Sequence, residues 1–311
     1  MGDFSVIILC NDDIAIPAIR DMVFFNQLSA VCIPAANKEL ISDITELLKG
    51  SGITVVVLHR ESWVTQLADL FSQTKAIAGF TMTFPWKIRE DVVAMAPRGF
   101  LNFHYGRLPE YRGPAPIFAQ LKNAESVAGL TVHQVTDKTD AGPVVMLEKI
   151  LIKPGDTYGI LKSRLAETGA GMANKLLQMM SYSERLPERI QDEKKACWHK
   201  RPGPEDVIIR WKKMDSKAII ALIDACNPWN KGAITRIKDK TIRILEAGIL
   251  KNEKDEFNLP GKIVLLNSGA LNVVTLDHRI IQIKIIYTPE GFMSAARMAT
   301  LGVSEGDFFN E

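Results

Sequence analysis

Residues 76–104 read AIAGFTMTFPWKIREDVVAMAPRGFLNFH. An apolar run rich in β-branched and aromatic residues (76–82) leads into a helix-like stretch (87–95), and a second apolar run (99–104) follows. Neither run alternates as a half-exposed strand does, so both suit strands covered on two faces. Strand, helix, strand is the βαβ unit, and it implies parallel pairing. Working upstream, strand-like runs at 5–10, 28–34 and 53–59 are separated by helical candidates at 14–26, 38–49 and 61–72, with another at 114–123. The expected fold is α/β: a Rossmann-like, open, mostly parallel sheet with helices on both faces. Such sheets place their sites beyond the carboxyl ends of the strands, where Asn102 and His104 fall.

Further along, VAGLTVHQVT (127–136), a tight DAGP turn and VVMLEKILI (144–152) read as an antiparallel excursion. PGDT (154–157) offers a helix start capped by Asp156 or Thr157, and apolar residues keep helical spacing to about residue 182. HKRPGPED (199–206) reads as a linker. Beyond it a short helix, SKAIIALIDAC, precedes short strands at even spacing, the pattern of a small OB-like β-barrel. The expected organisation is a catalytic domain over 1–198, the linker over 199–206 and the barrel domain over 207–311.

The totals set bounds. A chain of 311 residues suits two domains, and 47% hydrophobic with 24% charged residues is a globular composition. Cys10, Cys32, Cys197 and Cys226 lie far apart without metal-ligand spacing, which predicts free thiols, no metal and a reducing cytoplasm. The opening MGDFSVIILCNDD reads as a first strand rather than a signal peptide, and no apolar run is long enough to span a bilayer. Net charge is only +2, and residues 205–311 carry 15 Lys and Arg against 14 Asp and Glu. Neither half is a strong magnet for polyanions.

Dinucleotide binding is the first suspect for this fold, but the first turn, CNDDIAIP, lacks GxGxxG, and no P-loop or GxSxG appears. The chemistry gathers instead in LNFHYGRLPEYRGPAP (101–116). Asn102 and His104 share a strand face because side chains alternate with period 2. An amide can hold a developing oxyanion, and an imidazole can give it a proton. Asp140, on the later turn in TDKTDAGPVV, is the best candidate to orient the imidazole. Such a set suits acyl transfer to a nitrogen nucleophile; the alternative is a capped strand end with a satisfied histidine.

LNFHYGRLPEYRGPAPI (101–117) followed by GLTVHQVTDKTDAGPVV (129–145) resembles the signature of the folate-dependent formyltransferases, in particular the methionyl-tRNA formyltransferases and related sugar N-formyltransferases. NPWNKGAITRIKDKTIRILEA (227–247) and LPGKIVLLNSGALNVVTLDHRIIQI (259–283) look like that family's C-terminal barrel. The resemblance implies transfer of a formyl group from 10-formyltetrahydrofolate to a primary amine, with Asn102, His104 and Asp140 catalytic. It also implies a pterin pocket lined, largely through backbone groups, by FTMTFPWKI (80–88), with Phe80, Met82, Thr83 and Phe84, joined by the turn from Asp137 to Asp140 with Asp137 and Thr139.

The departures bear on the acceptor. The family's serine after the histidine is Gly106 here, and its neighbouring leucine is Arg107. Arg107, with Tyr105 and Arg112, is expected at the acceptor side; a solvated loop arginine is the other reading. The basic insertion of enzymes acting on initiator tRNA is replaced after the second strand by AANKELISDITELLKGSG (35–52), with Lys38 and Lys49 against Glu39, Asp43 and Glu46. A small-molecule amine, such as an amino sugar nucleotide or an amino acid-derived metabolite, is therefore favoured over tRNA, with hydrolysis of the formylated folate a further alternative. His133 reads as structural, His59, His199 and His278 as solvated, and Trp198, Trp211 and Trp229 as packing anchors.

Overall fold

The computed structural model describes residues 4–183, 185–267 and 269–310. The chain divides into two compact units. One holds residues up to Pro116 with Ala128–Ile150 and Lys162–His199; the other holds Ile117–Val127, Leu151–Leu161 and the chain from Lys200 onward.

In chain order the first elements are β1 (Ser5–Cys10), α1 (Ile16–Phe24), β2 (Leu28–Pro34), α2 (Lys38–Leu47), β3 (Thr54–Leu58), α3 (Trp63–Gln73), β4 (Ala76–Met82), α4 (Glu90–Val93) and β5 (Phe100–His104). Then come α5 (Pro116–Lys122), β6 (Val127–Gln134), β7 (Val144–Leu151) and α6 (Tyr158–Tyr182). The sheet runs β3-β2-β1-β4-β5-β6-β7, parallel from β3 to β5 and antiparallel from β5 to β6. This is the α/β architecture read from residues 76–104. In β1, Val6 to Cys10 are all fully buried, as a central strand covered on two faces requires.

One boundary moved, and one cap was settled. The stretch expected to be helical from residue 87 opens only at Glu90, because Arg89 is still extended at φ −92° and ψ 167°. At α6, Thr157 Oγ1 accepts from the Ile160 amide at 3.4 Å, whereas Asp156 Oδ2 turns back to the Lys153 amide at 2.8 Å. Cys10, Cys32 and Cys226 are buried free thiols, while Cys197 is exposed.

The second unit contains α7 (Ser216–Cys226), β8 (Ala233–Ile237), β9 (Lys240–Lys254), β10 (Ile263–Asn267), β11 (Ala270–Val274), β12 (Arg279–Thr288), β13 (Gly291–Ser294) and β14 (Phe309–Asn310). Its antiparallel sheet runs β10-β11-β12-β9-β8-β14, with β13 on β12. A backbone bridge between Lys262 and Phe308 draws the two edges together, giving the curled half-barrel that the even strand spacing implied. Trp211 is an anchor as expected, stacked on Phe309 with its indole N–H on Thr235 Oγ1 at 2.8 Å. Trp198 is not an anchor: it is 56% exposed. The short β13 and β14 carry too few residues for an alternation signal. Among the described residues no helix is long and apolar enough to cross a membrane.

Candidate active site

Register across β4, β5 and β6 decides the site. Thr81 lies opposite Asn102, and Asn102 lies opposite His133, so three polar side chains cross the sheet in one row. The Thr81 hydroxyl donates to Asn102 Oδ1 at 2.7 Å, which turns the amide so that Nδ2 faces away from β4. His133 Nδ1 sits 2.8 Å from the Gln134 carbonyl, an acceptor only, so Nδ1 carries the proton and Nε2 is bare. That nitrogen accepts from Asn102 Nδ2 at 3.0 Å. His133 thus orients the amide, a role that sequence reading missed. Spacing alone carries no cross-strand register, so nothing in T-V-H could have given it.

Asp140 sits on the turn after β6 with φ 55°, in the left-handed region that a short polar side chain tolerates. Its Oδ2 accepts from the Gly113 amide at 2.9 Å. Gly113 itself has φ +110°, and a Cβ there would lie 2.2 Å from the His199 carbonyl, so only glycine serves. The polar neighbours of Asp140 Oδ1 stand at 3.5 Å (His104 Nδ1), 3.5 Å (Asn102 Nδ2) and 3.6 Å (His133 Nε2). Burial pushes this carboxyl up, but the positive charge of His104 once that ring is protonated, together with the Gly113 amide, outweighs it and holds it at about 2.

His104 is almost fully buried, and its Nε2 donates to the Tyr111 carbonyl at 2.6 Å. Burial lowers its basicity, opposed by Asp140 and the Tyr111 carbonyl. The resting ring is therefore neutral at pH 7, with a bare Nδ1 toward Asp140. Gly106 makes this geometry possible. A Cβ on it would lie 2.6 Å from Pro116 Cβ and 3.0 Å from both His104 Nε2 and the Tyr111 carbonyl. The serine of the family pattern would press on the bond that sets the histidine tautomer.

A cavity of about 120 Å³ opens against this row. Thr81, Asn102, His133 and Asp140 line its buried end, and Phe84, Trp86, Val135, Thr136 and Thr139 line its walls. Lys87 and Lys138 also line it and are exposed. His104 does not line it and stands beside Asp140. Trp63 backs the wall, with ring centres 5.6 Å from both Phe84 and Trp86.

Two family models match the chain: one described as formyl transferase over residues 37–176, the other as formyl transferase, C-terminal domain, over residues 203–299. A methionyl-tRNA formyltransferase from Dictyoglomus thermophilum is 30% identical over 73% of this chain and 72% of its own length. The chain belongs to the formyltransferase family. It is an enzyme that transfers formyl groups.

Several solved structures share the fold. The N-formyltransferase from Helicobacter canadensis, solved with folinic acid and dTDP-3-aminofucose, is 17% identical with a TM-score of 0.70, covering 90% of this chain and 98% of its own. HypX from Aquifex aeolicus, solved with tetrahydrofolic acid, is 16% identical with a TM-score of 0.64, covering 98% of this chain and 50% of its own.

The other residues marked on formyltransferase grounds are placed as follows. Phe80 and Met82 are fully buried, Phe80 with its ring 5.3 Å from that of Phe103, so their side chains belong to the core. Thr83 has φ 64° and its hydroxyl accepts from the Asn11 amide at 3.4 Å. Asp137 is exposed on the turn but does not line the cavity, unlike Thr139. Tyr105 is buried, and Arg107 lies 5.4 Å over the Tyr111 ring.

Arg112 is committed elsewhere: it donates twice to Gln191 Oε1 and grips both oxygens of Glu193 at 2.9 and 2.7 Å. Gln191 in turn donates to the Asp140 and Gly142 carbonyls at 2.9 and 2.8 Å. Arg112 therefore braces the Asp140 turn. His199, expected to be solvated, stacks on Tyr111 at 4.8 Å.

Proposed function

We propose that this formyltransferase takes its formyl group from 10-formyltetrahydrofolate and passes it to the amine of a small molecule. One observation carries the reading: Asn102 and Asp140 face one cavity, with His104 held against the second. The cavity fits the donor in chemistry, with polar groups at its buried end and aromatic walls outside them. A whole folate needs more room, since drug-sized ligands occupy pockets of about 300–1,000 Å³, so the donor would extend past the mouth.

The donor supplies an activated formyl carbonyl on nitrogen. Asn102 Nδ2, held by Thr81 and His133, presents donors toward the place where that oxygen would gain charge. As the amine adds, a proton must leave it. Asp140 is too acidic to keep that proton and relays it to the bare Nδ1 of His104. The resulting imidazolium pairs with Asp140, adds positive charge beside the oxyanion, and returns the proton toward the departing nitrogen. The 3.5 Å separation between His104 and Asp140 closes when the ring charges.

Charge supports a small acceptor. The connection between β2 and β3 carries two lysines against three acidic residues, and residues 205–311 are nearly neutral. Neither suits a phosphate backbone. One observation favours the second reading, initiator tRNA: the 30% identical relative is a methionyl-tRNA formyltransferase. The decisive experiment supplies 10-formyltetrahydrofolate with an amino sugar nucleotide, amino acid-derived amines or charged initiator tRNA, and identifies the formylated product by mass. Small-amine product upholds the proposal. Product on tRNA alone replaces the acceptor, and formate release without acceptor shows a hydrolase.

A further inference from the structure

Register sets Thr131 opposite His104 just as it sets His133 opposite Asn102, so T-V-H on β6 is the partner of N-F-H on β5. His133 holds its partner directly, whereas Thr131 acts on the loop that follows His104. The Thr131 hydroxyl, on a fully buried side chain, donates to the Gly106 carbonyl at 2.7 Å and accepts from the Leu108 amide at 3.1 Å. Those two bonds bracket Arg107, whose carbonyl accepts from the Tyr111 amide at 2.8 Å. The Tyr111 carbonyl is in turn the group that accepts from His104 Nε2 at 2.6 Å. Gly129, two residues before Thr131 on the same strand face, makes room for this loop, since a Cβ there would run into Arg107 Cγ. A chain of short bonds thus leads from one hydroxyl on β6 to the imidazole on β5.

Building on the His104 relay above, we propose that Thr131 is a positioning residue for formyl transfer: its hydroxyl pins the loop so that the Tyr111 carbonyl faces His104 Nε2 and the ring keeps a bare Nδ1 toward Asp140. A neutral imidazole carries one N–H, and the acceptors facing its two nitrogens decide which of them holds it. Two acceptors compete here. Asp140 Oδ1, 3.5 Å from Nδ1, draws the proton one way, and the closer Tyr111 carbonyl draws it the other. Gly106 and Leu108 are both buried, so without the Thr131 hydroxyl their carbonyl and amide must shift to find partners. Tyr111 moves with them, the proton passes to Nδ1, and the ring can no longer take one from Asp140. The other groups that act on His104 stay in place: His133 is held by Asn102, and Arg112 by Gln191 and Glu193.

The test follows His104 by two-bond nitrogen–proton correlation spectra, in which the two neutral tautomers give different patterns, with the signals assigned against H104Q. The parent chain is expected to show the Nε2–H form. Thr131→Val keeps the shape of the side chain and removes the hydroxyl; with its circular dichroism unchanged, it is expected to show the Nδ1–H form or a mixture. Its kcat, read as tetrahydrofolate release from 10-formyltetrahydrofolate with the acceptor that gives product in the experiment above, is expected to fall by about ten- to a hundredfold. Its affinity for 5-formyltetrahydrofolate, followed by tryptophan quenching, is expected to stay within about twofold of the parent. Thr131→Ser restores the hydroxyl and with it the Nε2–H form and most of the rate. A T131V chain that keeps the Nε2–H form or the parent kcat overturns the proposal, as does a parent whose proton sits on Nδ1. A T131S chain as impaired as T131V also overturns it, since the methyl and not the hydroxyl then matters. Where T131V fails to fold, T131A undergoes the same measurements. If the parent releases no tetrahydrofolate with any amine, the donor reading falls, and the tautomer comparison still decides the role of Thr131.

Discussion

Replacing Asn102 by Asp keeps the shape of the side chain and removes its donor. The acceptor oxygen that Thr81 uses survives, so the row across β4 and β5 persists. What changes is the atom facing Asp140: a carboxylate oxygen now stands where Nδ2 stood, 3.5 Å from Oδ1. Two unit charges at that distance repel by about 5 kcal/mol at an effective dielectric of about 20. At about 1.4 kcal/mol per pKa unit this raises the second ionisation of the pair by about three units. One proton is then shared by the two carboxylates up to about neutral pH.

Above that range the oxyanion has lost its donor, and kcat falls by about 10²–10³, the usual effect of deleting one such donor. Toward pH 6 the shared proton restores part of a donor, so the ratio of variant to parent activity recovers. Initial rates of tetrahydrofolate release, measured for both proteins from pH 6 to 9, report this directly. A variant within tenfold of the parent at pH 8, or one whose deficit ignores pH, refutes the assignment of Asn102.

The pH dependence of the parent has its own sign. Burial lowers His104, and the ring works in its neutral form, so kcat/KM should rise with pH through a value below about 6.5 and then level off; an acid limb above the ordinary imidazole value contradicts a neutral resting ring. Arg112→Ala removes the brace on the Asp140 turn and should cost about 2 kcal/mol of stability and lower kcat more than it raises KM, as thermal melts and steady-state kinetics would show. In the second unit Asp224 is pushed up to about 7 by burial and by Asp156 and Glu246. The folded chain then holds a proton between about pH 4 and 7 that the unfolded chain releases, so stability falls as pH rises through that window. Asp224→Asn should therefore raise the melting temperature at pH 8 and not at pH 4; no difference at pH 8 shows that the group is not strained.

Much of this molecule was decided by sequence alone. Apolar runs placed strands β1 to β5 within a residue or so, because central parallel strands must be apolar on both faces and say so in every residue. Period-two alternation put Asn102 and His104 on one face, and the DAGP turn marked Asp140. Tertiary structure decided the rest. The β5–β6 register set His133 against Asn102, and the tautomer of each histidine follows from a carbonyl that only folding brings near: Gln134 for one, Tyr111 for the other. Gly106 took on meaning only when its missing Cβ was seen to make room for that second bond. Arg112 was legible as a loop cation, but its partners Gln191 and Glu193 lie about eighty residues away in the chain. Local pattern reports what a residue buries; which group it meets depends on register and loop closure, and neither is written in the spacing of a single segment.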